Sequence, residues 1–391
     1  MKPRNNVKLV VALEHHFVRC PEGVFTSLAF GYSFWQEYLQ IFDQVCVVAR
    51  MSCADEPPEN TFVASGENVE FYDLPDYFGV RDFICKLGPT MWKVLGTHKL
   101  GDCFMLFSGN IGVIVWLNLL FHCRFKYYFR CVGNVRLGIA TENKNFMYKY
   151  IAYLYHCLTK IQAKYARASS YTSNYLFEVY PNKKHYVFSN VELTENVFSQ
   201  PRQIDFFRRQ PFRFISVGRV EKQKGHAWFL EAVKLLKEKT PQLNWHVCVV
   251  GPGSQIDILR DYVVKNQLQE QITFTGSVKW GEALFQLLDE SHVFVLPSLT
   301  EGMSRALLEG MARGLPAIAS RTGGNPEIVH EDYLVEVGDV SALAQKMLDV
   351  ISQPQQLVDL SQRNWQVARS FKQNFVKQDF LRYIHENSSS S

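Results

Sequence analysis

The chain has 391 residues, of which 47% are hydrophobic and 20% are charged. It is long enough for two domains of about 150–200 residues each, and too apolar for a disordered, collagen-like or coiled-coil protein. The formal net charge is only +4, but residues 120–190 contain 11 Lys and Arg against 2 Asp and Glu. One block of the chain is therefore basic, although the protein as a whole is not.

The cysteines and the apolar runs predict where the protein resides. The nine cysteines are an odd number and form no Cys-x-x-Cys pair, which favours reduced thiols over a disulfide framework or a metal site. The longest apolar run, 111–123, is shorter than the roughly 20 residues that span a bilayer, and the first residues make a poor signal peptide. We expect a cytoplasmic protein, with a peripheral position on the inner face of the membrane as an option.

Strand-like apolar runs alternate with helical patterns in both halves, which predicts an α/β protein with parallel sheets covered on both faces. In the first half the runs are 8–13, 45–49, 69–72, 103–108, 125–130 and 168–173; in the second half they begin at Phe212, Trp245, Ile272, Val293 and Pro316. The polar stretch 191–210 predicts the seam and a hinge. The predicted parts are a doubly wound domain at 1–195, a second at 196–365, and a helix at 366–391 that crosses back and ends in a serine tail.

The most informative stretch is 297–320, PSLTEGMSRALLEGMARGLPAIAS. A strand ends before Pro297, a loop carries Glu301, and Ser304 can cap a helix whose first amide groups form an anion site. Glu309 lies further along that helix. With Glu301 on the loop, both carboxylates can face one ligand at different depths and accept hydrogen bonds from sugar hydroxyls.

The segment EGMSRALLE resembles the Glu-x7-Glu motif of the retaining glycosyltransferases of family GT4, which have the GT-B fold of two Rossmann-like doubly wound domains facing across a cleft. The resemblance implies that 1–195 is the acceptor-binding domain and 196–365 the nucleotide-sugar-binding domain. It also implies that Glu309 binds the ribose of a nucleotide-sugar donor and that Glu301 binds the donor sugar. It also implies that the backbone of the connecting segment faces the diphosphate; this segment comprises Gly302, Met303, Ser304 and Arg305.

Two cations follow the strand that begins at Phe212, and two cations at a strand's carboxyl end suit a diphosphate. They are Arg219, after Gly218, and Lys224. The resemblance gives them the role of neutralising the leaving diphosphate, so Arg219, Lys224 and Glu301 are the predicted catalytic residues.

Further donor contacts are expected in loops. Gly251 and Gly253 form a Gly-x-Gly that lacks the third glycine of a dinucleotide fingerprint, and we interpret it as a tight turn beneath the nucleotide. Val278 matches the loop that borders the base, and 323–327 resembles a structural turn near the donor.

The first half matches the family only loosely. Its expected glycine-rich loop corresponds to 22–26, with Gly23 near the diphosphate and Thr26 at the start of the next helix. The histidine that many members place near the sugar is missing, so Asn110 or Arg130 is the candidate acceptor contact. His15 and His16 are further candidates in the cleft.

The resemblance predicts a retaining transferase that moves a sugar to a glycan or lipid-linked acceptor in polysaccharide, lipopolysaccharide or capsule biosynthesis. It favours a UDP-sugar over a GDP-sugar as co-substrate, with no cofactor and no metal. The alternatives are a nucleotide-sugar epimerase or hydrolase of the same fold, and a non-catalytic sugar- or membrane-binding module. The basic, aromatic segment 144–167 suggests contact with a membrane surface, whereas no motif suggests nucleic-acid binding.

Overall fold

The computed structural model describes residues 7–27, 30–59, 61–123, 126–134, 146–191 and 193–372. It divides into two compact units. Of the described residues, the first unit contains those up to Thr172 and Leu176–Phe188; the second contains Ser173–Tyr175 and residues 189–372. Most of the C-terminal helix and all of the serine tail predicted at 366–391 lie outside the described residues, since described helical structure ends at Arg369.

The first unit is built on a mostly parallel sheet. Its strands are β1 Lys8–Cys20, β2 Gly23–Thr26, β3 Gln44–Cys53, β4 Phe62–Val63, β5 Val69–Pro75, β6 Cys103–Phe107, β7 Tyr127–Cys131, β8 Ala168–Tyr171 and β9 His185–Val187. Its helices are α1 Tyr32–Leu39, α2 Gly79–Val94, α3 Asn110–Phe121, α4 Phe146–Tyr165 and α5 Asn174–Val179. The parallel order is β5-β3-β1-β6-β7-β8-β9. The strand order reverses its direction between β1 and β6, as in a doubly wound fold.

The second unit has a fully parallel sheet in the order β12-β11-β10-β13-β14-β15. Its strands are β10 Phe212–Val217, β11 Trp245–Val250, β12 Ile272–Gly276, β13 Val293–Leu296, β14 Ala317–Ser320 and β15 Leu334–Val335. Its helices are α6 Ile204–Phe207, α7 His226–Lys239, α8 Ile256–Lys265, α9 Glu282–Asp289, α10 Arg305–Ala312, α11 Asn325–Ile328, α12 Val340–Ser352 and α13 Pro354–Arg369.

The strands are continuous apolar runs because both faces of each sheet are covered by helices. In the second unit, Phe214, Val247 and Val295 of the sheet pack with Phe229 and Val233 of α7 in one buried cluster. The strands predicted in this half are present within one residue of their predicted starts.

The prediction for 22–26 is wrong. Gly23 and Thr26 are not in a loop that opens a helix; they bound β2, which pairs antiparallel with the far end of β1 and with β4. The first helix begins later, at Tyr32. The first strand is correspondingly longer than predicted and carries His15 and His16 within it.

Candidate active site

In the second unit the strand order reverses its direction between β10 and β13, which is where ligands bind in doubly wound sheets. The loops that follow these two strands are bonded to each other. The amide of Leu299 donates to the carbonyl of Gln223 at 2.8 Å, and the indole of Trp228 donates to the carbonyl of Pro297 at 2.8 Å. Gly225 has φ +70°, and a Cβ there would lie 1.9 Å from the Pro297 carbonyl oxygen, so only glycine fits.

The structure brings Lys224 and Glu301 into direct contact. Lys224 Nζ lies 2.5 Å from Glu301 Oε1, which also accepts a hydrogen bond from Ser298 Oγ at 2.6 Å. Glu301 is buried, with 9% of its surface exposed. The carboxylate is therefore fixed by two donors at the carboxyl edge of the sheet, and the ammonium group beside it partly offsets its charge. Ser298 was not among the predicted residues.

Helix α10 begins as predicted, with Ser304 as its N-cap. Ser304 Oγ accepts from the amide of Leu307 at 3.4 Å. In the part of the chain that the structure describes, the amides of Arg305 and Ala306 donate to no protein acceptor. These two amides and the positive end of the helix dipole form an anion site. The side chain of Arg305 is exposed.

Glu309 lies in α10 and only 3% of it is exposed. Its Oε1 accepts a hydrogen bond from the indole of Trp280 at 2.9 Å. Burial raises the pKa of Glu309, while the Trp280 hydrogen bond and the charge of Arg305 act in the opposite direction. Trp280 itself is half exposed. Sequence reasoning placed its loop, which also contains Val278, near the base but did not assign Trp280 to the carboxylate.

Glycines bring the backbone segments of this edge close together. A Cβ on Gly251 would lie 2.0 Å from the Gly218 carbonyl oxygen, and one on Gly253 would lie 2.2 Å from that of Val220. The amide of Val220 donates to the carbonyl of Pro252 at 2.8 Å. The predicted tight turn at 251–253 is present, and it supports the loop that carries Arg219.

The turn at 323–324 has a structural role as well. A Cβ on Gly323 would lie 1.9 Å from the Glu301 carbonyl oxygen, and the amide of Gly324 donates to the carbonyl of Gly302 at 2.8 Å. This turn therefore holds the backbone on both sides of the Glu301–Gly302 peptide bond. Met303, which follows, packs partly buried beside the core cluster that contains Leu307.

Of the two predicted cations, Arg219 is the more accessible. Its side chain is exposed and, among the described residues, has neither a hydrogen bond nor an ion pair. Lys224, in contrast, runs past Gly218, whose added Cβ would lie 3.9 Å from Lys224 Cε. One cation is thus held in place and the other is free to meet a ligand.

A second polar cluster lies where the first sheet reverses its direction, in the middle of β1 and just beyond the end of β6. Glu14 Oε1 accepts from the Tyr77 hydroxyl at 2.5 Å and lies 3.3 Å from Arg50 Nε. Glu14 Oε2 accepts from the amide of Ile111 at 3.1 Å, at the start of α3. Burial and Glu14 raise the pKa of Tyr77, whereas Asn110 acts in the opposite direction and so lies near the same hydroxyl. The predicted Asn110 therefore belongs to a cluster whose other members, Glu14, Arg50 and Tyr77, were missed.

The remaining predicted residues of the first unit are more buried. Arg130 is 3% exposed; its guanidinium lies 4.3 Å from the centre of the Phe188 ring, and its Nη1 donates to Ser170 Oγ at 3.3 Å. Thr26 is 1% exposed and its Oγ1 lies 2.7 Å from His15 Nε2. Burial, followed by the charges of Arg50 and His16, lowers the pKa of His15 to about 4, which keeps it neutral. The acceptor role of Arg130 stays a prediction.

Among the described residues, no helix is both long and apolar enough to cross a membrane. No three His, Cys, Asp or Glu side chains of that part of the chain are grouped to hold a metal ion.

Comparison with known proteins identifies this half of the chain. Residues 211–353 match the family model described as "Glycosyl transferases group 1". Residues 211–353 form a group 1, GT4-like glycosyltransferase domain. The matched residues include both loops of the site and both glutamates.

Two curated relatives differ in how much of the chain they match. "Protein CapJ" of Staphylococcus aureus is 24% identical over 81% of this chain and 80% of its own length. The "UDP-Gal:alpha-D-GlcNAc-diphosphoundecaprenol alpha-1,3-galactosyltransferase" of Escherichia coli is 33% identical over 37% of each chain. This chain therefore spans only 37% of the length of the Escherichia coli relative.

Among solved structures, sucrose-phosphate synthase from Thermosynechococcus elongatus aligns with a TM-score of 0.71. The alignment covers 98% of this chain and 100% of that one at 15% identity. At that identity the likeness concerns the fold, and the fold is GT-B.

Proposed function

We propose that the protein transfers a sugar from a nucleoside-diphosphate sugar to a hydroxyl group of a glycan or lipid-linked acceptor, with retention of configuration at the anomeric carbon. The observation that carries the proposal is the contact of Lys224 with Glu301 beside the tip of α10. A cation, two free amides and a fixed carboxylate suit a ligand that is anionic at one end and hydroxylated at the other.

Each group of the site has one task in this proposal. Glu309 accepts hydrogen bonds from the ribose, and Glu301 accepts them from the donor sugar. Arg219, Lys224 and the α10 amides stabilise the charge that develops on the leaving diphosphate. Preorganised donors of this kind are each worth about 100–1000-fold in turnover.

The proposed chemistry is a substitution on one face of the sugar. The bond from the anomeric carbon to the diphosphate oxygen breaks, and the acceptor oxygen bonds to the same face of that carbon. The acceptor proton passes to the departing diphosphate. No side-chain base is needed, and the protein contributes mainly by positioning the reactants and stabilising charge. Since Arg219 and Lys224 supply positive charge, the proposal includes neither a metal nor a cofactor.

We favour a UDP-sugar over a GDP-sugar. The Escherichia coli relative named above carries UDP-Gal in its name, and its acceptor is a diphosphoundecaprenol-linked sugar. That relative supports a role in bacterial polysaccharide, lipopolysaccharide or capsule biosynthesis. For the acceptor hydroxyl we propose the Asn110 cluster, in which the Glu14 carboxylate accepts from the Ile111 amide at the start of α3, where a negative charge disfavours a diphosphate.

We also propose contact with a membrane surface through 144–167, in line with a lipid-linked acceptor. Helix α4 turns Ala152, Thr159 and Ala163 into the protein. Its opposite face is exposed and carries three lysines and five large apolar or aromatic side chains, with no acidic residue anywhere in the helix. These residues are Lys149, Tyr150, Tyr153, Leu154, Lys160, Ile161, Lys164 and Tyr165.

The first test is a thermal-shift panel of UDP, GDP, ADP and their sugars, because a ligand that binds only the folded state raises its unfolding midpoint. We expect UDP to give the largest shift. Transfer is then measured with UDP-sugars and lipid-linked sugar acceptors, and the anomeric configuration of the product is read by NMR. Glu301→Gln is expected to reduce turnover about 100–1000-fold, whereas the matched control Glu336→Gln, at an exposed glutamate bound to Arg321, is not.

The outcomes separate the alternatives. Release of UDP without acceptor favours the hydrolase or epimerase, and retained function in Glu309→Ala favours a non-catalytic module. An inverted product contradicts the retaining mechanism. No shift with any nucleotide in the panel contradicts the donor site itself.

A further inference from the structure

Three helices of the first unit lie on the same face of its sheet. The steps from β5 to β6, β6 to β7 and β7 to β8 all run in one direction across the sheet. Parallel connections are right-handed, so the helices in these steps, α2, α3 and α4, lie on one side. The structure agrees, since α2 contacts α3 and α3 contacts α4.

Helix α2 exposes an apolar stripe. Ile84, Leu87, Met91 and Leu95 recur every three or four residues, so they lie along one face of the helix, and Trp92 widens it. All five are exposed, and Trp92 is 79% exposed. The residues that α2 buries, Phe83, Thr90 and Val94, lie on a different face. A helix that buries so little of its apolar surface within its own unit marks an interaction site.

The neighbouring helix continues this apolar surface. Leu117 and Phe121 lie one turn apart near the end of α3, and Phe121 is 80% exposed. The rest of α3 is almost entirely buried. The exposed end of α3 therefore lies between the apolar stripe of α2 and the lysine-bearing face of α4.

The lysines of α2 and those of α4 point in different directions relative to the exposed surface. Lys86 and Lys93 of α2 turn away from its stripe, because their Nζ atoms donate to the carbonyls of Asp76 at 2.6 Å and Asp73 at 2.7 Å. The α4 face, in contrast, presents Lys149, Lys160 and Lys164 to solvent without an acidic residue in the helix. One part of the surface is thus apolar and the adjoining part is cationic.

We infer that this three-helix face docks on an anionic lipid surface, with the α2 stripe and Phe121 inserting among the acyl chains while the α4 lysines bind head groups. Apolar insertion and electrostatic attraction are the two contributions that hold a helix in a lipid interface. A second copy of the chain fits less well, because a two-fold contact brings the same surface together. The one acidic residue of the three helices, Asp82 of α2, already pairs with Lys86 and accepts from the amide of Phe78, so it is not available to the α4 lysines. The inference deepens the proposed membrane contact by assigning the insertion to α2.

The test measures sedimentation with vesicles of phosphatidylglycerol and phosphatidylcholine, 1:1, and of phosphatidylcholine alone. We expect Met91→Ser/Trp92→Ser to lower binding at least about tenfold in both low and high salt, because it removes apolar insertion. Lys149→Gln/Lys160→Gln/Lys164→Gln is expected to lower binding about fivefold per lysine in low salt and to abolish the salt dependence. The matched control is Ile258→Ser/Val264→Ser, which removes two exposed apolar side chains from α8 of the second unit.

Vesicle binding is measured without donor or acceptor, so its result remains valid even if the protein is found to transfer no sugar. Equal unfolding midpoints show that the variants fold. In addition, brominated lipids should quench wild-type tryptophan fluorescence more than that of Trp92→Phe. The inference is overturned if wild type does not bind vesicles, or if the α2 variant binds as wild type does. It is also overturned if light scattering shows a dimer that the α2 variant dissociates.

Discussion

At Glu309 a requirement of binding opposes stability. A carboxylate that accepts hydrogen bonds from ribose must be ionised, yet the side chain is 97% buried, and burial raises its pKa. The raised pKa means that the folded state binds the proton more tightly than the unfolded state. Stability contributed by this group is therefore present below the ordinary glutamate pKa and lost as the pH rises through the folded value.

The first prediction follows from that opposition. Glu309→Gln keeps an acceptor for the Trp280 indole and removes the buried charge. At neutral pH we expect a higher unfolding midpoint together with weaker UDP binding, where about 1 kcal/mol corresponds to about 2–4 °C for a unit of this size. The midpoint gain should vanish near pH 4, because wild type is then protonated in both states. A variant that is less stable at neutral pH and binds UDP normally would contradict this account.

Glu14 is the residue that organises the cluster of the first unit, since it accepts from Tyr77 and from the amide of Ile111. A glutamine has only one acceptor oxygen and cannot satisfy both donors. We predict that Glu14→Gln raises the acceptor KM about tenfold, as expected when a partly buried hydrogen bond to a charged group is lost. The UDP thermal shift should not change.

The control for Glu14 is Glu70→Gln, which removes an exposed carboxylate paired with Lys8 in the same sheet. It should change neither the acceptor KM nor the donor KM. If Glu14→Gln instead lowers UDP binding, or leaves the acceptor KM unaltered, the cluster does not bind the acceptor.

At the scale of elements, the donor loop is held by backbone packing rather than by side chains. Gly225 and Gly338 both have positive φ, +70° and +82°, but only Gly225 has a backbone carbonyl within 1.9 Å of an added Cβ; Gly338 faces open space. Both Ala variants incur the conformational cost of about 1–2 kcal/mol. We predict that Gly225→Ala additionally displaces Pro297 and abolishes the UDP thermal shift, whereas Gly338→Ala keeps it. Equal effects of the two substitutions would show that the contact between the loops is unimportant.

The parallel strands could be predicted because each is a short run of apolar residues. Such a run can be recognised in the sequence without knowing which strands it pairs with. The Ser304 cap and the glycine at Gly314 likewise mark α10 locally. The β1–β2 hairpin could not be predicted in the same way. Gly23 suits both a ligand loop and a hairpin turn, and the choice depends on pairing Phe25 with Val63, almost 40 residues away. The family resemblance favoured the wrong alternative.

The two polar clusters also differ in how far they could be predicted from the sequence. The contact of Lys224 with Glu301 joins residues 77 positions apart. The resemblance placed both residues at the donor site but did not predict that they touch. Glu14, Arg50 and Tyr77 come from three elements of the first unit, and no local pattern connects them. The one available signal was a charged residue directly after the apolar run 8–13. Trp280 gave no signal of its own, because an aromatic residue in a loop does not reveal which carboxylate it covers.

Over the whole molecule, three histidines in the two units predict how stability depends on pH. Burial is the largest cause that lowers the pKa of each to about 4; it is assisted by Arg50 and His16 at His15, by Lys224 at His226, and by Arg213 at His292. The unfolded chain takes up these protons below about pH 6.5, whereas the folded chain does not. Stability should therefore fall as the pH decreases from about 6.5 to 4.

The quantity to measure is the slope of the unfolding free energy against pH. Each neutral histidine contributes at most about 1.4 kcal/mol per pH unit between those values. Urea unfolding at pH 7.5, 6.5, 5.5 and 4.5 should show the histidine contribution to stability falling more steeply in the second unit than in the first, because His226, His292 and His246, whose pKa burial also lowers, all belong to it. His292→Asn is expected to reduce the slope of unfolding free energy against pH in the second unit by the contribution of one proton. The slope of the first unit should not change. A slope that this substitution does not alter would mean that His292 is protonated within the fold, which its 3% exposure beside Arg213 argues against.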